Sequence, residues 1–154
     1  MVKALGAVLV VCACGLIGWL LTFSHKKKWE FIAEWGRFNR LFMTELSAKR
    51  MPLPKFIEGY ASQNEFQTLL QAYVSSYSIE SPPAFLKEEE KKLLSDYFSY
   101  LGTSDSSSQL SFLREKGNQL KELEALSLSD YSKRRTLYPK LGILAGLFLV
   151  VLLI

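Results

Sequence analysis

The feature that most constrains this chain is a run of 21 residues, Ala4 to Ser24, without one charged side chain. A helix rises about 1.5 Å per residue, so the run would be ~31 Å long, the thickness of the hydrocarbon layer of a bilayer (~30 Å). A second uncharged run, Leu141 to Ile154, supplies 14 residues, about 21 Å of helix. Thr136-Leu137-Tyr138-Pro139-Lys140 lengthens it if Lys140 snorkels. Leu147 to Ile154 is apolar on every face, with no polar stripe for water. Residues 25–140, by contrast, hold 18 of the 19 Lys and Arg and all 15 Asp and Glu. A chain of 154 residues has room for one ordinary domain. The expected layout is a transmembrane helix over 1–24, a cytoplasmic helical domain over 25–136 and a transmembrane helix over 137–154.

A cleaved leader is the rival for the first run, since Val11-Cys12-Ala13-Cys14 loosely resembles a lipoprotein cleavage box. The run continues ten residues beyond Cys14 and ends in His25-Lys26-Lys27-Lys28, which favours a span. Lys26, Lys27, Lys28, Arg37 and Arg40 follow the first span, and Lys133, Arg134, Arg135 and Lys140 precede the second. The positive-inside rule then puts the middle in the cytoplasm and both termini outside. Gly142 and Gly146 form G-x-x-x-G, and Cys14 with Gly18 makes a second small pair at the same spacing, which lets helix backbones approach closely. Cys12 and Cys14, the only cysteines, stand two apart with no His or carboxylate near them, so neither a disulfide framework nor a metal site is implied.

In the middle, Ile32, Trp35, Leu41, Phe42 and Leu46 recur near helical spacing and no proline occurs from Trp29 to Ala48, so the first helix is expected to run on past the lysines. Met51-Pro52-Leu53-Pro54 must end it, because proline lacks an N–H and its predecessor avoids the helical region. Pro54 suits the first turn of a short helix carrying Phe56, Ile57 and Tyr60. Ser62-Gln63-Asn64-Glu65 has capping-box spacing before a helix through Phe66, Leu69, Leu70, Tyr73 and Val74. After Ser81-Pro82-Pro83, a further helix places Leu86, Leu93, Leu94, Tyr97, Phe98 and Leu101 on one face, with Gly102 as a left-handed stop. Ser104 or Asp105 can cap the last helix, where Leu110, Leu113, Gly117, Leu120 and Leu123 keep three-four spacing. No strand alternation or hairpin signal appears. The fold class is therefore all-α: N-terminal and C-terminal transmembrane helices flanking a small cytoplasmic antiparallel helical bundle.

The residues offer little chemistry. The sole histidine is His25, at the membrane border, so a His-based triad or a Cys/His zinc site cannot be assembled within the chain. No G-x-x-x-x-G-K-[ST] loop occurs. No catalytic residue, cofactor or metal is expected, and the chain reads as no enzyme. Glu88-Glu89-Glu90 followed by Lys91 and Lys92 suits a helix dipole and reads as a solvated helix start, with a docking face as the other reading. The basic residues flank both spans, so membrane lipids rather than nucleic acid are the expected anionic partner.

Three blocks carry a family resemblance. Met43-Thr44-Glu45-Leu46 leading to Pro52-Leu53-Pro54 is similar to an L-x-x-E-I…T-P-L-P stretch, with Met51 where threonine is common and Leu46 in place of isoleucine. Leu101-Gly102-Thr103-Ser104-Asp105 with Gln109 is similar to L-G-x-S-D-x-x-x-Q. Leu137 to Gly146 is similar to L-Y-x-x-L-G-v-l-x-G before an apolar tail. Together these blocks resemble the stage III sporulation protein AB family of endospore-forming bacteria, itself similar to the platform protein of type II secretion and pilus machines. The resemblance implies a non-enzymatic membrane platform component of the channel between mother cell and forespore, in the mother-cell membrane facing the forespore. Its implied partners are a companion cytoplasmic secretion-type ATPase and other channel membrane subunits, with a homo-oligomer as a further option. Glu45, Asp105 and Gln109 are the implied partner-binding candidates. Pro52, Leu53, Pro54, Leu101, Gly102 and Ser104 form the structural motif, and Cys14, Gly18, Gly142 and Gly146 the membrane packing set. A regulatory membrane adaptor that recruits a cytoplasmic partner without transmitting force is the alternative.

Overall fold

The computed structural model describes the backbone of residues 2–62, 64–101, 103 and 105–153, and the side chains of these except residues 2–5, 7, 8, 10, 152 and 153. Five helices and no strand occur among the described residues: α1 (Val2–Lys49), α2 (Leu53–Gly59), α3 (Glu65–Ser76), α4 (Glu88–Tyr100) and α5 (Ser106–Leu153). The chain divides into two compact units, one of residues 1–27 with 126–154 and one of residues 28–125.

Residues 28–125 are organised by the α1 face that carries Phe31, Ile32, Trp35, Phe38, Asn39, Phe42 and Leu46, each at most 5% exposed. Leu41, expected on that face, is turned outward, and Phe31, Phe38 and Asn39 occupy positions the periodicity of the outer residues did not single out. Phe38 is the hub of an aromatic cluster: its ring lies 5.3–6.1 Å from those of Phe42, Phe56, Tyr60, Phe66 and Phe98. Such pairs contribute ~0.5–1.5 kcal/mol each beyond the area they bury. Four helices and the residue that closes α2 thus converge on one side chain.

Beside the cluster lies a buried polar link. Tyr97 Oη donates to Asn39 Oδ1 at 2.9 Å, and Asn39 Nδ2 donates to the Leu113 carbonyl at 3.0 Å, joining α4, α1 and α5. A Cβ on Gly117 would sit 2.9 Å from Asn39 Nδ2, so only glycine leaves room for the amide. Asn39 faces Leu113 and Gly117, while Gly36, earlier on α1, faces Glu124, later on α5. The two helices therefore run antiparallel here.

The helix ends follow local chemistry. Arg50 takes a left-handed conformation (φ 48°) and returns its N–H to the Leu46 carbonyl at 3.1 Å, so α1 stops at Lys49, ahead of Pro52. Pro52 and Pro54 then sit at the start of α2, where missing N–H groups cost nothing. The expected Ser62–Glu65 capping box is corrected: Asn64 is the N-cap of α3 and accepts the Phe66 N–H at 3.0 Å. The Ser62 hydroxyl supports Asn64 Oδ1 from behind, and the Ser62 N–H goes to Gln67 Oε1. Asn is as good a cap as Ser and stands directly before the helix. Leu86 and Leu101 are buried but flank α4 rather than lie in it, because Glu90 accepts the Lys87 N–H at 2.8 Å and starts the helix at Glu88. Glu90 Oε1 also lies 2.6 Å from Lys28 Nζ on α1, so this residue of the expected solvated triplet is buried and paired. Glu88 pairs with Lys91 at 2.7 Å on the surface.

In residues 1–27 with 126–154, α1 and α5 are again antiparallel. A Cβ on Gly18 would meet the Tyr138 carbonyl oxygen at 2.6 Å, one on Gly142 the Cys14 carbonyl oxygen at 2.6 Å, and one on Gly146 the Val11 Cα at 2.9 Å. The backbones touch with no side chain between them. Leu16, Trp19, Leu20, Leu144, Phe148 and Val151 point away from this seam and are 60–76% exposed. Among the described residues, no helix is long and apolar enough to cross a membrane. The expected flanking spans are thus not carried by the described residues; the side chains of 4, 5, 7, 8 and 10 in the first run, and of 152–154 in the second, lie outside them. Gly102 and Ser104 also lie outside the described residues.

Asn39→Leu should destabilise the protein by about 1–3 kcal/mol, because it strands the buried Tyr97 hydroxyl. Adding Tyr97→Phe should recover part of that loss in denaturant unfolding. In the second unit, Gly18→Ala and Gly142→Ala should lower the melting temperature. Gly6→Ala and Gly15→Ala, where nothing lies within 4 Å, should leave it unchanged or raise it through the ~1 kcal/mol helix preference of alanine.

Candidate functional site

Two of the sequence blocks converge on one groove. Leu53 and Pro54 from the start of α2, and Leu101 with Thr103 after α4, line an apolar groove of about 220 Å3 together with Tyr73 and Tyr77 of the α3 end. Tyr73 fixes the floor: its hydroxyl donates to the Phe98 carbonyl at 3.0 Å and lies 3.3 Å from that of Leu101. These are the carbonyls that α4 leaves open at its C-terminus. Burial holds the Tyr73 hydroxyl neutral to a higher pH than an exposed tyrosine, with charge repulsion from the Tyr77 oxygen adding to the effect. Tyr77 forms one wall; it ends α3 in a left-handed conformation (φ 53°), returns its N–H to the Tyr73 carbonyl at 2.7 Å, and is 68% exposed. Proline at 54 matters to the groove because it lies in the first turn of α2, directly after Leu53, the buried first residue of the helix.

The three expected partner-binding residues are not gathered there. Glu45 is half-buried on α1, with Oε2 3.0 Å from Lys49 Nζ but outside hydrogen-bond geometry. Asp105 caps α5: Oδ2 accepts the N–H groups of Ser107 and Ser108 at 3.2 and 3.3 Å, and the Ser107 hydroxyl at short range. Those bonds hold its carboxyl down at about 2, Ser107 first. Gln109 is 7% exposed, turned into the helical unit rather than toward solvent. Asp105 thus serves as the cap of α5, whose first turn closes through the Gln109 N–H and the Asp105 carbonyl at 2.9 Å.

Sequence reasoning did not find Asn39, Glu34 or Tyr77. Tyr60 Oη donates to Glu34 Oε1 at 2.6 Å, and Arg37 lies 3.1 Å from the same oxygen. Burial, then that bond, pushes the Tyr60 hydroxyl well above the ordinary tyrosine range; burial does the same to Tyr97. A Glu and an Arg three apart on α1 were visible as a pair, but their tyrosine comes from another helix end 26 residues on. In the unit of residues 1–27 with 126–154, Asp130 joins His25 (3.3 Å) to Arg134 (2.8 Å), and Arg134 reaches the Tyr138 hydroxyl. Among the described residues, no group of three or more His, Cys, Asp or Glu is placed to hold a metal ion.

The helical order, the glycine seam of α1 and α5, and the groove built from the proline block and the Leu101 block stand together in one chain. The model of the stage III sporulation protein AB family (spore_III_AB) matches residues 3–154. The chain belongs to that family. No curated protein and no solved structure matches it. Membership places this stage III sporulation protein AB relative among proteins of sporulation, in a family not known as one of enzymes.

The buried tyrosines and the exposed cap set opposite pH limits. Tyr60, Tyr73 and Tyr97 are favoured neutral in the fold, so the stability they contribute is complete below pH ~10 and is lost as pH rises beyond it. Asp105 is favoured charged, so its contribution is present above pH ~4 and lost as pH falls toward 2. Absorbance titration should show three tyrosines ionising at higher pH than an exposed tyrosine. Asp105→Asn, which still caps, should flatten the change in melting temperature between pH 4 and 2.

Proposed function

We propose that the protein is a non-enzymatic membrane platform component of the sporulation channel, docking the companion cytoplasmic secretion-type ATPase. It lies in the mother-cell membrane facing the forespore, with residues 28–125 in the cytoplasm and both termini outside. The observation that carries this reading is the outward face of the α1–α5 pair, where large apolar side chains stand exposed along both helices while their backbones meet. Water would penalise that surface at ~25 cal/mol per Å2, and lipid would not. The 21 uncharged residues of α1 equal one bilayer, and the cationic flanks of both runs set the orientation. For the ATPase contact, the apolar groove between α2, α3 and the α4 end is the proposed seat, with half-exposed Glu45 as a further contact. Exposed Tyr77 supplies an aromatic anchor of the kind that dominates interface energies. Neighbouring channel subunits and further copies of the chain are the proposed partners within the membrane.

The test is a mild-detergent pull-down of the tagged full chain from cells harvested during engulfment. The ATPase should be recovered with the wild-type chain and reduced about tenfold with Tyr77→Gly, a change that removes the ring yet suits the left-handed backbone. Equal recovery at equal helicity would remove the groove from the contact. No recovery with an intact, membrane-bound wild type would leave the adaptor as the better description.

A further inference from the structure

The two long helices do not become polar at the same level. In the unit of residues 1–27 with 126–154, Val11 meets Gly146, Cys14 meets Gly142 and Gly18 meets Tyr138, so each step up α1 is matched by an equal step down α5. Carried on, this register sets residues 16–23 of α1 level with residues 133–140 of α5. At those levels α1 exposes Leu16, Ile17, Trp19, Leu20, Leu21 and Phe23, all 47–61% accessible. Over the same stretch α5 exposes Lys133, Arg135 and Lys140. One side of the pair thus offers ~31 Å of uncharged helix and the other ~21 Å, and the ~10 Å difference is the length over which the three cations are spread.

Charge is divided in the same direction. Residues 1–27 with 126–154 contain seven Lys and Arg against the single acid Asp130, a net +6. Residues 28–125 contain twelve Lys and Arg against fourteen acids, a net −2, and the two sum to the +4 of the whole chain. Asp130 is engaged by His25 and Arg134, so it does not offset Lys133 and Lys140.

We infer that anionic phospholipid headgroups bind at Lys133 and Lys140, two turns apart on one face of α5, drawn in beside an α1 that is still in hydrocarbon, so that the leaflet is thinned on that side of the protein only. The inference rests on the membrane reading above. Lysine and arginine stems can follow apolar surface while their heads reach phosphate, and a short apolar segment is matched by local thinning. Near a membrane surface each cation favours anionic over zwitterionic lipid. Arg134 is held by Asp130 and Tyr138 and steadies α5 rather than serving as a ligand.

The test uses the purified full chain reconstituted in zwitterionic vesicles containing a minor fraction of lipid brominated on its upper acyl carbons, either zwitterionic or anionic. Exposed Trp19 reports the lipid in contact through loss of its fluorescence. Brominated anionic lipid should occupy the protein surface at least about twofold in preference to its zwitterionic counterpart. That preference should collapse at ~1 M salt, where the screening length is ~3 Å. It should also vanish in Lys133→Gln/Lys140→Gln, while quenching by the zwitterionic lipid persists. Equal quenching by both lipids overturns the inference and leaves the membrane reading intact. A preference that survives in the double variant overturns it as well, since another surface would then select the lipid. No quenching by either lipid overturns the membrane reading itself, and the inference with it.

Discussion

A single buried amide holds the larger unit in register. Asn39 accepts a hydrogen bond from Tyr97 on α4 and donates one to the Leu113 carbonyl on α5, in a setting that excludes water. A polar pair in that environment is stable only when each partner is satisfied, so no helix can rotate or slide without stranding the others. The Phe38 cluster contributes burial, but aromatic rings tolerate several arrangements at similar energy. The amide does not. Gly117 completes the device by leaving the space that the Asn39 side chain fills.

Much of this architecture was legible in the sequence because it depends on local rules. The proline block, the Asp105 cap and the three-four spacing of Leu113 and Leu120 act within one or two turns, and each appears where the residues put it. What could not be read depends on distant partners. Asn39 looks like any polar residue on an apolar face until Tyr97, 58 residues later, supplies its hydrogen bond. Glu90 looks like one of three solvated acids until Lys28 on α1 meets it. Leu41 fits the pattern of a core residue, yet is exposed, because a five-residue sample of α1 fits two neighbouring faces nearly as well. At Ser62 the local rule itself was ambiguous, for two good caps stand two residues apart and only the path of the chain chooses Asn64.

The candidate site was legible in part. The blocks around Pro52 and Leu101 were visible as separate corners; their meeting in one groove comes from the way Tyr73 ties α3 to the end of α4. Asp105 and Gln109 stand out for their polarity, and the fold uses Asp105 as the cap of α5 while it buries Gln109. Tyr77 had no sequence signal, because a tyrosine in a left-handed helix stop has none of the glycine character by which such stops are recognised. The small residues of α1 and α5 were visible as pairs on each helix, whereas their opposing register could not be obtained from either helix alone.

The seam between Gly18 and Tyr138 joins residues 120 positions apart. Its consequence is one of timing. A ribosome that has delivered α1 must still make nearly the whole remaining chain before the matching surface of α5 exists. Throughout that interval the small-residue face of α1 stands uncovered, while the helices of residues 28–125 are made. The seam therefore closes only once α5 has been made, and a product truncated before it would leave α1 without the helix it is shaped to fit.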